Sequence, residues 1–234
     1  MLEYQNWIEG LSDIQRQQFE VYYRQLVKWN AEVNLTSIVD EQEVYIKHFY
    51  DSCAITALPM WNDVNRQNGT VADIGTGAGF PGLPLAILYP NVKFLLCDSL
   101  QKRIKFLDHI KTELNLSNVT TIHGRAEDIG QQSLRGTCDM VVSRAVARMN
   151  VLLELTFALV KVGGWFVAYK GPNVEAELDD GIRAAEKLGG QMGSLVETSL
   201  PYHMGKRVFV PVQKIRVMSK QYPRQAGTPA KSPL

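Results

Sequence analysis

Little in this chain lends itself to metal or redox chemistry. Its 234 residues include 3 cysteines and 4 histidines. Cys53, Cys97 and Cys138 are far apart, and two of them sit in apolar runs, FLLCD and TCDMVV; such placement reads as buried free thiols. His48, His109, His123 and His203 are equally scattered, which excludes the closely paired ligands of zinc or haem motifs, so no metal is expected. Runs of about 18 apolar residues are missing, so no segment reads as a membrane span. The opening residues MLEYQNWIEGLSDIQ place acids where a signal peptide needs a basic flank and an apolar core. A cytoplasmic protein with no membrane contact is expected, working as a monomer.

A surplus of one charge is absent too, the net charge being +1. The distribution is nevertheless uneven. After Glu197 no acid occurs, whereas Lys206, Arg207, Lys214, Arg216, Lys220, Arg224 and Lys231 give that stretch +7 against −6 for the remainder. A basic C-terminal stretch is a candidate polyanion contact, with a solvated strand edge and tail as the plainer alternative.

What is present is a chain of three parts: a helical extension over 1–66, an alternating β/α domain over 67–218 and a basic strap rich in Pro and Gly over 219–234. Phe19, Tyr22, Leu26, Trp29 and Val33 recur three and four apart, which predicts one amphipathic helix begun by a Ser12/Gln15 capping box. A second helix is expected over roughly 41–58, containing IKHFYDS. From residue 70 the runs TVADIG, VKFLLCD, NVTTIHG, CDMVVSR and GWFVAYK read as strands. Between them LPLAILY, LQKRIKFLDHIKTELN and VLLELTFALVKV read as helices, which implies parallel β-α-β units in a doubly wound α/β sheet. Residues 193–200 and 207–215, joined by PYHMGK, are too close for a crossover and predict an antiparallel pair. A bulge is expected at Pro211, which cannot donate to a ladder.

The chemistry concentrates in residues 71–82, VADIGTGAGFPG. In an open parallel sheet, ligands bind beyond the carboxyl ends of the strands. Gly75, Gly77 and Gly79 permit positive φ and close approach of a ligand, and Pro81 suits the first turn of the next helix. GAGFPG matches a dinucleotide pattern with Asp98 about 20 residues on, but the register is wrong. Asp73 would also repel a pyrophosphate. A carboxylate there suits S-adenosylmethionine, with its sulfonium, its ammonium and no phosphate. Asp98 then fits as the acceptor for both ribose hydroxyls, and Ala126 and Glu127 lie beside the adenine edge.

The strings DIGTGAGFPGLPLAI, CDSLQKRIKFL, GRAEDI, SRAVARM and YPRQAGTPAKSPL together resemble the glucose-inhibited division protein B family, bacterial 16S ribosomal RNA guanine-N7 methyltransferases. The resemblance runs from the NLTSI and HFYDS stretches to the C-terminus. It implies a class I S-adenosylmethionine-dependent methyltransferase fold: a Rossmann-like, mostly parallel seven-stranded sheet with a C-terminal antiparallel hairpin and a helical extension. It further implies that Gly75 and Phe80 line the cofactor, that Ala126 and Glu127 contact adenosine, and that Arg144 reaches into the site. The implied reaction moves a methyl group to N7 of a guanine in the decoding region.

That atom has a lone pair and no proton, so orientation rather than a general base is expected, with Arg144 and Lys170 positioning the target base. SRAVAR carries neither the amide-Pro-Pro motif of amine methylation nor a cysteine nucleophile. The O6 edge, a phosphate or the cofactor carboxylate are the candidate partners of Arg144, and a salt bridge with Asp73 or Glu127 is the structural alternative. Lys47, His48, Arg103, Lys170, Arg224 and Lys231 are the candidate contacts to 16S RNA or the small ribosomal subunit. A cofactor- or RNA-binding regulator without turnover, and an NAD-dependent oxidoreductase, are the competing functions.

Overall fold

A computed structural model describes residues 4–234. Helix α1 (Tyr4–Glu9) precedes α2 (Asp13–Val33), which starts with the expected capping box: Gln15 N donates to Ser12 Oγ, and Ser12 N donates to Gln15 Oε1. Phe19, Tyr22, Leu26 and Val33 on its apolar stripe are buried. The helix expected over 41–58 is four short pieces: α3 (Glu41–Val44), a wider π turn (Tyr45–Tyr50), α4 (Asp51–Cys53) and a 3-10 turn (Ala54–Ala57). Residues 48–53 are buried on every side, which a helix with one apolar stripe could not be. Helix α5 (Pro59–Arg66) leads into the sheet.

The sheet region alternates as the sequence predicts: β1 (Thr70–Ile74), α6 (Gly82–Leu88), β2 (Lys93–Asp98), α7 (Gln101–Glu113), β3 (Val119–His123), α8 (Ala126–Ile129), β4 (Cys138–Arg144), α9 (Met149–Thr156) and β5 (Val160–Lys170). Helix α10 (Leu178–Leu188), β6 (Gly190–Met192), β7 (Val196–Ser199), β8 (Lys206–Lys214) and α11 (Thr228–Lys231) complete it. Strand order is β3-β2-β1-β4-β5-β8-β6, with β7 also on β8. Strands β1 to β5 pair in parallel and β8 runs antiparallel to β5.

The seven expected sheet positions are present, but the last is divided. Residues Met192 and Val196 face Val212 and Phe209 of β8, so the edge strand breaks opposite Pro211. Pro211 itself stays in register with Val167 of β5. The irregularity expected in the proline's own strand thus falls on the neighbouring edge, which has no amide donor to meet at that point. A second difference concerns VLLELTFALVKV, which turns from helix to strand after Thr156. The Lys214 ammonium, buried beneath β8, donates to Phe157 O at 3.0 Å and Val160 O at 2.6 Å and fixes that change.

Alternation with period two divides the core between the two faces of the sheet. Val71, Met140, Val142, Val167 and Tyr169 pack with α2, α6, α7 and the helical extension. Ala72, Ile74, Val141, Phe166 and Ala168 pack with α9 and α10 on the other face. The extension therefore shares one face's core, and Tyr22 donates from α2 to Ala78 O in the glycine loop at 2.5 Å.

Candidate active site

The glycine loop leaves β1 where the chain's strand order reverses, with β2 on one side and β4 on the other. Its amides turn inward. Gly75 N and Thr76 N donate to Cys97 O, Gly77 N to Asp98 Oδ2 at 3.0 Å, Gly79 N and Phe80 N to Thr76 O, and Gly82 N to Asp73 Oδ2 at 2.8 Å. Loops that cradle phosphate present such amides to the ligand; here they are engaged inside the protein. Gly75 (φ +71) is required by close approach, since a Cβ would lie 2.6 Å from Val146 Cγ2. Gly79 (φ +99) has a packing role instead: its Cβ would meet Leu83 at 2.4 Å and the Tyr22 hydroxyl at 2.8 Å.

A cavity of ≈ 280 Å³ opens at the carboxyl ends of β1, β2 and β3. Gly75, Asp98, Ser99, Ala126 and Glu127 line it, together with Val146, Ala147, Val151, Leu155, Gly227 and Ala230. Of the sequence-predicted cofactor residues, Gly75, Asp98, Ala126 and Glu127 come together here. Asp73, Gly77, Gly79, Phe80 and Arg144 stand elsewhere.

Asp73 is fully buried behind the loop, with Oδ2 accepting from Thr76 Oγ1 at 2.7 Å and Gly82 N at 2.8 Å, and Oδ1 without a partner. Burial raises its carboxyl to about 6, while the bonds from Thr76 and Gly82 pull the other way. It therefore anchors the loop, in place of the direct ligand contact expected from the sequence. Gly77 reaches the site through its amide bond to Asp98. Phe80 is buried between the Tyr22 and His48 rings, 5.5 and 4.6 Å away.

Asp98 is also partly engaged. Oδ1 accepts from Leu100 N at 2.9 Å; Oδ2 accepts from Gly77 N and from Arg103 Nη1 at 3.2 Å. A carboxylate oxygen has two lone-pair sites, so Oδ1 keeps one for a ligand hydroxyl while both sites of Oδ2 are taken within the protein. Glu127 Oε1 accepts from Gly227 N at 2.9 Å.

Arg144 closes β4 but pairs with neither Asp73 nor Glu127. Its Nη1 donates to Asp51 Oδ2 at 2.9 Å and to Lys47 O at 3.1 Å, and its guanidinium lies 5.0 Å from the Phe80 ring centre. Arg207 of β8 holds the same carboxylate, Nε on Oδ1 at 2.7 Å and Nη2 on Oδ2 at 2.9 Å. Asp51, fully buried, thus ties two strands of the sheet to the extension. His48 bonds Thr36 Oγ1 through Nε2 at 2.8 Å, and burial, reinforced by Arg144, lowers its pKa to about 4.

The predicted RNA contacts divide in the same manner. Lys170 Nζ donates to Ala147 O at 2.8 Å and to Glu177 Oε1 at 2.9 Å, and Glu177 Oε2 also accepts from Met149 N, so this lysine fixes the loop after β4 instead of presenting a free charge. Arg224 chelates buried Glu154, Lys47 pairs with Glu43, Arg103 pairs with Asp98, and His48 is 9% exposed. These five positions have partners inside the fold, whereas Lys231 is exposed. In the basic stretch as a whole, Arg207, Lys214 and Arg224 serve the fold, and Lys206, Lys220 and Lys231 face solvent. Asp51, Glu154 and Glu177 carry no local signal in the sequence, and Arg207 stands out there only as one charge of the basic stretch; nothing in HFYDS indicates partners 93 and 156 positions away.

The model of the rRNA small subunit methyltransferase G family matches residues 15–203. The chain belongs to the rRNA small subunit methyltransferase G family. Ribosomal RNA small subunit methyltransferase G of Lactobacillus acidophilus is 49% identical over 225 residues, covering 96% of this chain and 93% of that protein. The Staphylococcus haemolyticus member is 48% identical over 224 residues, covering 96% and 92%. Among solved structures, a 16S rRNA (adenine(1408)-N(1))-methyltransferase from Catenulisporales acidiphilia overlays with TM-score 0.55 at 14% identity, covering 68% of this chain and 91% of that one. Cofactor-bound Rv0187 from MTB gives 0.53 at 15%, covering 80% and 96%. Both share the class I methyltransferase fold with this family member. Its residues 204–234, which include Arg207, Gly227 and Ala230, lie beyond the family-matched segment. Among the described residues no helix is long and apolar enough to cross a membrane.

Proposed function

We propose that the chain transfers a methyl group from S-adenosylmethionine to N7 of a guanine in 16S ribosomal RNA. One observation carries the cofactor reading: the amides of Gly75, Thr76, Gly77, Gly79, Phe80 and Gly82 bond within the protein while the carboxylates of Asp98 and Glu127 border the cavity. Two acids at the edge of the cavity, with most of the glycine loop's amides turned away from it, suit a cationic ligand with sugar hydroxyls better than a pyrophosphate. S-adenosylmethionine, bound there, supplies an electrophilic methyl group on a sulfonium. Asp98 Oδ1 accepts a ribose hydroxyl with its remaining lone pair, and the backbone at Ala126 borders the purine. Asp73, ionised above about pH 6, favours the cation through its field from behind the loop.

The acceptor reading rests on family membership and on N7 chemistry. With no proton to remove, the protein's contribution is orientation, which in favourable systems lowers a barrier by about 7–11 kcal/mol. Arg144, held by Asp51, and Lys170, held by Glu177, fix the two ends of the loop from which Val146 and Ala147 reach the cavity. Exposed Lys206, Lys220 and Lys231 supply phosphate contacts, which position RNA rather than read its bases. Incubating small-subunit RNA with methyl-tritiated S-adenosylmethionine, then mapping by mass, tests the reading. Label on a guanine N7 is expected; absence of transfer, or label on another atom, overturns it.

A further inference from the structure

Residues 219–234 cross the carboxyl edge of the sheet and are held at several points. Glu154 of α9, fully buried, accepts from Arg224 N at 2.9 Å, Arg224 Nε at 2.8 Å and Arg224 Nη2 at 2.6 Å. Gln131 Nε2 donates to Pro223 O and Arg135 Nη1 to Tyr222 O, both at 2.8 Å. Gly227 N donates to Glu127 Oε1, and Asn150 Nδ2 donates to the Leu234 carbonyl at 3.1 Å.

Between these anchors Gly227 and Ala230 face the cavity opposite the ends of β1, β2 and β3, beside Val151 and Leu155 of α9. A Cβ on Gly227 would meet nothing within 4 Å, so the strap stands clear of the opposite wall and leaves a slot. The slot is apolar on the strap and α9 side and acidic at the Asp98 and Glu127 edge. A flat purine fits against the former and a ribose along the latter.

We propose that the strap is the outer wall of the cofactor cavity and is held more tightly docked when the cofactor is bound. This rests on the S-adenosylmethionine reading above and assigns the nucleoside end to the slot between Ala230 and α9. Glu127 couples the two, since it borders the cavity and holds Gly227 from the strap. A ligand touching both walls is held more firmly with the strap docked, so by linkage its binding must also favour docking.

Two measurements with S-adenosylhomocysteine test this. In the unmodified chain, amide hydrogen exchange over residues 224–231 is expected to slow about tenfold on saturation. Ala230 is exposed, so Ala230→Trp leaves the fold intact and obstructs the slot; calorimetric affinity is expected to fall about tenfold or more with the free protein's melting temperature unchanged. If the unmodified chain does not bind S-adenosylhomocysteine, the cofactor reading and the strap both fall. If it binds while exchange and the Ala230→Trp affinity stay unchanged, the strap inference alone is overturned.

Discussion

The cavity at the ends of β1, β2 and β3 and the Asp51 cluster lie at the same edge of the sheet and are built differently. At the cavity, Asp98 Oδ1 accepts a single bond, from a backbone amide, and retains acceptor capacity at the cavity's edge. At the cluster, one fully buried carboxylate has both of its oxygens ion-paired, by two guanidinium groups from β4 and β8, and its position is fixed from both sides. A ligand site must leave valences open and accept the resulting cost to stability. A junction between the extension and the sheet must close them, because an unpaired buried charge is among the most destabilising features a fold can contain.

The sharpest way to break the contrast is Asp51→Ala, which strands Arg144 and Arg207. Unfolding free energy is expected to drop by about 3–5 kcal/mol in denaturant titrations, and an unchanged midpoint would mean that the two arginines find other partners. Asp98→Ala should move the other quantity. S-adenosylhomocysteine binding is expected to weaken by about 1.5–3 kcal/mol, the range for hydrogen bonds to a charged group, with a smaller loss of stability than Asp51→Ala causes.

Titration sharpens the comparison further, because one residue from each region is buried with an opposite sign. His48 has its pKa lowered from 6.5 to about 4, so between these values the unfolded chain binds more protons and stability is lost as pH falls. Asp73 has its carboxyl raised from 3.8 to about 6, so over that window the folded chain binds more protons and stability is lost as pH rises. The two slopes oppose each other, each at most about 1.4 kcal/mol per pH unit. Relative to the unmodified protein, Asp73→Asn should steepen the fall in melting temperature from pH 6 to 4, and His48→Gln should flatten or reverse it; identical profiles would contradict both assignments.

The smallest expected effect is that of Tyr22→Phe, which removes the donor to Ala78 O at 2.5 Å and joins the two regions through the loop. About 1 kcal/mol of stability should be lost, and faster hydrogen exchange in residues 76–80 would locate the loss.

Much of the cavity's edge was legible in the sequence because each element announces itself locally. Asp73 and the glycines follow a β-branched run, Asp98 ends another, and Ala126-Glu127 follow a third. Less legible were the internal partners of Arg144, Lys170, Arg224, Lys47, Arg103 and His48, cations or bases whose counterparts lie on other elements or turns. From the sequence a charged residue at a strand end looks available. In the fold, desolvation obliges a buried charge to find a counter-charge, and the supply of acids nearby decides which cations remain for a ligand.

By itself the sequence determined the doubly wound sheet, the position of the glycine loop at its switch point and the gathering of Asp98, Ala126 and Glu127. Parallel β-α-β units bring the carboxyl ends of successive strands to one edge whatever the rest of the chain does. Only the tertiary structure decided that Asp73 supports the loop from behind, that Asp51 holds Arg144 and Arg207, and that Gly227 and Ala230 complete the cavity. Those outcomes depend on which side chains meet across 93, 156 or 100 positions and on how deeply they are buried, and neither is a property of any local stretch of sequence.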